Sequence, residues 1–143
     1  MYHSTTHSNP CSKFNFDIQP SLEFALIQFN LREFSSRGLI LSSIFHLISL
    51  DHSKSKKNPN YVSSVNVLPT WNLLDNLTQK GLKKFIYFST IHVYGNLPNE
   101  RITENKQSKP LNEYGLTHLL SEHICNYYNT KSKTECINVR LSN

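Results

Sequence analysis

Glycine is scarce in this 143-residue chain, and its four members, Gly38, Gly81, Gly95 and Gly115, never fall within ten residues of one another. Such spacing excludes a glycine-rich turn whose backbone N–H groups close around a phosphate. Cysteine is scarce too. Cys11, Cys125 and Cys136 are an odd number without a Cys-x-x-Cys pair, so neither a disulfide framework nor a zinc ribbon is expected. Reduced thiols and a cytoplasmic setting are the plain reading. No apolar run reaches the ~20 residues that cross a bilayer. The most apolar, Leu39 to Leu50, is interrupted by Ser42, Ser43, His46 and Ser49. The first residues lack a basic start followed by an apolar core, so no leader is expected. Acidic residues are the minority, 10 against 15 Lys and Arg, giving a net charge of +5. The cations are scattered, however, with Lys54, Lys56 and Lys57 as the densest cluster, and no nucleic-acid partner is expected. His3, His7 and Cys11 stand at spacings of four. Pro10 and the neighbouring Ser and Thr argue against a helix there, so no metal site is expected.

What remains reads as one domain. Residues 1–13 are polar and irregular and are expected to be a disordered tail; residues 14–143 form the folded part. Phe14, Phe16 and Ile18 alternate with polar residues, as in a short half-buried strand. Pro20-Ser21 opens a helical pattern with Leu22, Ala25, Leu26 and Phe29 on one face, fading at Ser35 and Ser36. Ser43 to Ser49 reads as a second strand. A helix from Pro59 to Gly81 follows, capped by Asn58, with Val62, Val65, Leu68, Leu73, Leu74 and Leu77 inward and a kink at Pro69. Phe85 to Phe88 are apolar without alternation, the pattern of a strand covered on both faces. Leu111 to Asn129 is the third helix, with Leu119, Leu120, Ile124 and Tyr127 inward, and Cys136 to Leu141 the last strand. Alternating strands and helices predict an α/β parallel sheet.

In open α/β sheets, ligands meet the carboxyl ends of the strands. Ser89 and Thr90 sit there, at the end of the central strand, followed by a long loop from Gly95 to Pro110. Tyr114 and His118, four apart on the third helix, share one face a turn apart. A phenol is a poor base near neutral pH unless a cation or hydrogen bond stabilises its phenolate, and histidine, with a reference pKa of ~6.5, is mostly neutral at pH 7. By spacing alone an ordinary helix-face pair is the more economical reading.

The strand Lys84 to Gly95 and the block Tyr114-Gly115-Leu116-Thr117-His118 together resemble the serine/threonine and tyrosine blocks of the extended short-chain dehydrogenase/reductases, the NAD-dependent epimerase/dehydratase family. His46-Leu47-Ile48-Ser49 resembles that family's fourth strand, whose end packs on the cofactor ribose. Asn66-Val67-Leu68-Pro69-Thr70-Trp71-Asn72-Leu73-Leu74 is similar to its Asn-Val-x-Gly-Thr-x-x-Leu-Leu helix, and Arg140-Leu141-Ser142-Asn143 to the end of its sixth strand. The resemblance implies a catalytic set of Thr90, Tyr114 and His118, with Thr90 polarising a sugar oxygen and Tyr114 moving its proton. His118 stands where the family has the lysine of Tyr-x-x-x-Lys, and Glu122 matches the acidic residue four further on. It also implies cofactor contacts at Asp17, Ile18, Leu47, Ile48, Ser49, Asn66, Tyr114, His118 and Ser142, and substrate contacts at Thr90 and Asn143. The implied cofactor is NAD or NADP and the substrate a nucleotide sugar. Dehydratase members carry Asp-Glu after the threonine; Ile91-His92 stands here, which favours epimerisation or reduction over elimination.

The resemblance further implies a partial Rossmann-type sheet lacking its first two strands and the C-terminal substrate domain, hence a fragment expected to be inactive in isolation. Without those strands, the edge of the Ser43 to Ser49 strand is expected to lie unpaired. A homodimer through the helices of residues 59–80 and 111–129 is expected, and no membrane association. The alternative is a non-catalytic α/β scaffold or partner-binding module derived from the same family.

Overall fold

Four strands and three helices follow one another in the computed structural model, which describes residues 27–35, 38–47, 49, 50, 53, 55, 58–96 and 102–142. The strands are β1 (Ile27–Ser35), β2 (Gly38–His46), β3 (Lys84–Thr90) and β4 (Glu135–Leu141). The helices are α1 (Pro59–Asn66), α2 (Leu68–Thr78) and α3 (Glu113–Lys131). The tail and the strand expected before residue 20 lie outside the described residues.

Two sequence expectations fail at the amino end. Over residues 27–35 the helix expected from Pro20 is a strand, and β1 pairs antiparallel with β2. The period-two order Ile27-Gln28-Phe29-Asn30-Leu31-Arg32 prevails over the helical spacing of Leu26 and Phe29. Consequently β2 does not present the unpaired edge expected of it, and it begins at Gly38, five residues before the predicted start. From β2 onward the sheet is parallel, in the order β1-β2-β3-β4 among the described residues.

Each crossover carries its own start signal. Asn58 lends its side-chain oxygen to the N–H groups of Asn60 and Tyr61, and Pro59 supplies the fixed φ of a first helical position. The kink expected at Pro69 is a full break after Asn66: a second helix begins at Leu68 because proline has no N–H to continue the ladder. After α2 the chain turns at Gly81, whose φ of +82° suits a residue without Cβ. Asn112 caps α3 through a 2.8 Å bond from Gly115 N–H, with Glu113 in the first turn and Lys131 in the last, matching the helix dipole.

The registers Ile44 with Phe85 and His46 with Tyr87, then Phe85 with Cys136, put alternate side chains of β2, β3 and β4 on one face. There they meet the helices, with Leu73, Leu74, Leu77, Ile124, Cys125 and Tyr128 completing a core in which Ile44, Leu74, Phe85 and Tyr87 are wholly buried. Each such side chain contributes on the order of 2 kcal/mol by leaving water. The inward face of α3 differs from expectation: Leu120 and Tyr127 are exposed, as is Leu68 before α2 turns inward. Polar Thr117, His118, Ser121 and Glu122 are buried in their stead, pulled inward by hydrogen bonds to the strand ends. At the sheet edge, Asn129 of α3 donates to the Cys136 carbonyl at 2.9 Å and accepts from its N–H at 2.7 Å.

Candidate active site

The site begins where β3 stops. Thr90 is 2% exposed, and its hydroxyl accepts a 3.3 Å bond from the His92 N–H, capping a 3-10 turn over Ile91–Tyr94. That turn leans on the first turn of α3. A Cβ on Gly115 would stand 2.5 Å from the His92 carbonyl oxygen, so only glycine admits this approach. As a result the His92 and Tyr114 rings meet edge to face with centroids 5.5 Å apart, and Tyr114 meets His118 in the same manner at 4.6 Å. Thr90, Tyr114 and His118 are therefore gathered at the carboxyl end of the parallel sheet, with Tyr114 half-buried and His118 2% exposed.

His118 is held from two sides. Its Nε2 lies 2.7 Å from Ser49 Oγ, just beyond β2, and its Nδ1 lies 2.9 Å from the Tyr87 hydroxyl on β3. Burial pushes its pKa down to about 4; Glu122 opposes that shift and His92 adds to it. His118 is thus neutral at physiological pH. Tyr87 is wholly buried, which drives its phenol above the ordinary tyrosine range and keeps it protonated. A second buried histidine, His46, is the register partner of Tyr87 on β2, its Nε2 2.9 Å from Thr70 Oγ1 and its Nδ1 without a partner. The tautomer that buries no unpaired N–H places the proton on Nε2, donating to Thr70. Burial, with a smaller contribution from His118, lowers its pKa to about 4.

The remaining predicted residues take varied positions. Asn66 is fully buried: its side-chain oxygen accepts from Leu50 N–H at 2.7 Å and its amide donates to Thr117 Oγ1 at 3.0 Å, pinning the segment after β2 to α3. Leu47 is exposed at the end of β2, and Ser142 is exposed after β4. Asp17, Ile18, Ile48 and Asn143 lie outside the described residues. Glu122 serves the structure: it accepts from Ser89 Oγ at 2.5 Å and from Arg140 Nε and Nη2 at 2.9 and 2.6 Å. The Arg140 guanidinium also stacks 4.6 Å over the Tyr94 ring and reaches Ser108 at 3.2 Å. Held chiefly by its bonds to Glu122, that guanidinium keeps its proton more tightly than a free arginine. Beside this knot, Tyr94, Asn96, Lys106, Gln107, Lys109 and Leu111 line an open cleft of about 350 Å³. Of the long loop after Gly95, residues 97–101 lie outside the described residues.

Sequence reasoning missed Tyr87, His46 and Thr70 as members of this network, and placed Ser89 at the strand end without its partner Glu122. Tyr87 and Ser89 lie in the run that marks the central strand, and only the register of β3 against α3 gives their hydroxyls a role. Among the described residues no group of three or more His, Cys, Asp or Glu could hold a metal, and no helix is long and apolar enough to cross a membrane.

The nicotinamide end of a dinucleotide finds a partial fit here. Tyr114 and Ser49 stand half-buried at the strand ends, but both ring nitrogens of His118 are already engaged. Nor does either positive-φ glycine, Gly81 or Gly95, have a second glycine near it to build a pyrophosphate cradle.

Similar chains occur among known proteins. This one is 27% identical over 116 residues to an uncharacterized UDP-glucose epimerase, YtcB, of Bacillus subtilis, covering 78% of this chain and 36% of that protein. It is 35% identical over 91 residues to UDP-glucose 4-epimerase 2 of Oryza sativa subsp. japonica, covering 63% of this chain and 22% of the rice protein. Among solved structures, UDP-glucuronic acid 4-epimerase from Bacillus cereus in complex with NAD superposes with a TM-score of 0.63 at 28% identity, over 68% of this chain and 31% of that one. The chain thus spans about a third or less of the length of these relatives. The sequence profile of the NAD dependent epimerase/dehydratase family matches residues 3–143, and the chain belongs to that family.

Proposed function

We propose that the described residues form the nicotinamide-facing half of a nucleotide-sugar epimerase or reductase site. The observation that carries this reading is the gathering of Thr90, Tyr114 and His118 at the carboxyl ends of β2 and β3. Thr90 would polarise the sugar oxygen, Tyr114 would handle its proton, and Ser49, Tyr114 and Ser142 would flank the nicotinamide ribose. Asn143 would meet the substrate, while Asp17 and Ile18 would lie toward adenine. When bound, the nicotinamide supplies the hydride acceptor. The cofactor would be NAD or NADP, since solved relatives include complexes with NAD and with NADPH.

His118 departs from the family's lysine in a way that matters. A neutral imidazole with both nitrogens engaged lends Tyr114 no positive charge, so the chain is expected to bind better than it turns over. This same observation favours the second reading, a non-catalytic scaffold of the family. The two are separated by titrating the purified chain with NADH, following energy transfer from Trp71 between pH 6 and 8, and then adding NAD and UDP-glucose to look for the 4-epimer by chromatography, since an epimerase returns the hydride to the sugar and leaves no net NADH. Saturable binding without turnover supports the scaffold; turnover supports the enzyme. No binding up to millimolar NADH, in a sample folded by circular dichroism, removes the enzyme reading and leaves the scaffold.

A homodimer fits the outward faces of the helices. Tyr61, Leu68 and Trp71 on the first crossover are 44, 49 and 50% exposed, and Leu116, Leu120 and Tyr127 on α3 are 48, 43 and 50% exposed. Sedimentation of wild type against Leu120→Glu tests it: a monomeric wild type rejects the pairing. The buried thiols Cys125 and Cys136 suit a reducing, cytoplasmic setting.

A further inference from the structure

The contacts around His118 determine where its proton sits. Ser49 has a single hydroxyl hydrogen, and that hydrogen is spent on the Leu50 carbonyl, 2.9 Å away. Toward His118 Nε2, at 2.7 Å, the Ser49 oxygen acts only as an acceptor, so Nε2 carries the N–H. A neutral imidazole has one N–H, which leaves Nδ1 bare. A bare Nδ1 2.9 Å from the Tyr87 oxygen accepts that phenol's hydrogen. The chain of donors is therefore directional: Tyr87 O–H to Nδ1, Nε2–H to Ser49, Ser49 O–H to the Leu50 carbonyl. Leu50 is itself anchored, since its N–H donates to Asn66.

We propose that Tyr87 is a positioning residue for this site: by donating to Nδ1 it fixes His118 as the Nε2–H tautomer and holds the imidazole edge to face against Tyr114. Ser49 and Tyr87 favour the same tautomer from opposite sides: Ser49, its hydrogen on the Leu50 carbonyl, accepts from Nε2–H, and the Tyr87 phenol donates to the Nδ1 left bare. Of the groups facing His118, the other histidines disfavour a charge on the ring and Glu122 favours one. On β2 there is His46, on β3 Tyr87, on the 3-10 turn His92, and on α3 itself Tyr114 and Glu122, the last already committed to Arg140 and Ser89. A charged imidazole would need a second acceptor on the Tyr87 side, where the phenol offers one only by turning its own hydrogen away.

This inference rests on the reading of Tyr114 as the proton-handling group, and its test keeps the two apart. Imidazole nitrogen chemical shifts of an isotope-labelled sample report the tautomer directly, with or without ligand. In the wild type His118 is expected as the Nε2–H form alone from pH 6 to 8. Tyr87→Phe keeps the ring that fills the core and removes only the donor, so the preference is expected to weaken by roughly ten-fold and the Nδ1–H form to become visible. Ser49→Ala is expected to leave the Nε2–H form dominant. An Nδ1–H signal in the wild type, or a Tyr87→Phe spectrum like the wild type's, overturns the clamp, and the wild-type spectrum decides even if the variant folds poorly. The second readout is NADH affinity across the same pH range. It is expected to be flat with pH in both proteins, because burial keeps the ring neutral, and to be several-fold weaker in Tyr87→Phe, whose unclamped imidazole no longer holds Tyr114 in place. An altered tautomer with an unchanged NADH affinity would make Tyr87 merely structural and overturn the positioning role. Failure of the wild type to bind NADH, with the Nε2–H form intact, overturns the site reading and leaves the clamp standing as a feature of the fold.

Discussion

Acid should destabilise this fold through its two buried histidines before it reaches most carboxylates. His46 and His118 both have folded-state pKa values of about 4, against 6.5 for an unhindered imidazole. Above about pH 7.5 each ring is neutral whether the chain is folded or unfolded, and the stability is fully present. As the pH falls through 6.5 the unfolded chain gains protons that the folded one refuses until about 4, so stability is lost with falling pH across that window. By linkage, each histidine costs roughly 2 kcal/mol at about pH 5, on the scale of roughly 1.36 kcal/mol per unit of pKa difference. The pair approaches about 4 kcal/mol, a large share of a stability of roughly 5–15 kcal/mol. Repulsion between the two rings makes their contributions non-additive, so the comparison is made on one of them. His46→Leu combined with Thr70→Val removes the imidazole and its hydroxyl partner together, leaving no buried polar orphan. Urea unfolding followed by far-ultraviolet circular dichroism at pH 7 and pH 5 should show the double variant losing roughly 2 kcal/mol less than wild type over that interval. Equal losses in the two proteins, within about 0.5 kcal/mol, would refute the claim that His46 is folded as a neutral ring.

Two further perturbations bear on how the site is assembled. Gly115→Ala forces a Cβ to within 2.5 Å of the His92 carbonyl, so a loss of about 1–3 kcal/mol is expected, together with loss of NADH binding. Gly81→Ala meets no atom within 4 Å and costs about 1 kcal/mol for its positive φ alone, with the site spared; equal effects of the two on NADH binding would contradict this account. Arg140→Ala strands the buried Glu122 carboxylate and is expected to cost about 3–5 kcal/mol in urea unfolding. Arg140→Lys should recover only part of that, since an ammonium cannot make the bidentate contact or the stack on Tyr94; full recovery would show that charge alone matters.

Much of the scaffold could be read from local pattern. The unbroken apolar run of Phe85 to Phe88 marks β3, Asn58-Pro59 marks the start of α1, and Pro69 marks an interruption that the structure deepens to a break. The amino end is harder because Leu22, Ala25, Leu26 and Phe29 satisfy a helical period while Ile27, Phe29 and Leu31 satisfy that of a strand. Pairing with β2 decides between them, and pairing is not a local property. In α3 the largest apolar residues suggest the inward face, yet Leu120 and Tyr127 face outward. The stripe His118, Ser121 and Glu122 gains more from hydrogen bonds to Ser49, Tyr87, Asn66, Ser89 and Arg140 than it loses by leaving water. Such partners lie up to 69 residues away, and spacing along one helix carries no trace of them.

The amide of Asn129 imitates a strand. By pairing with both the N–H and the carbonyl of Cys136, it occupies the outward hydrogen-bonding position that a neighbouring strand would use at the amino half of β4. The same alternation turns the peptide groups of Asn138 and Arg140 outward, past the reach of that amide. Among the described residues, growth of the sheet beyond β4 is thereby blocked at one end and left open at the other, on the side where the strands deliver Thr90 and Ser142.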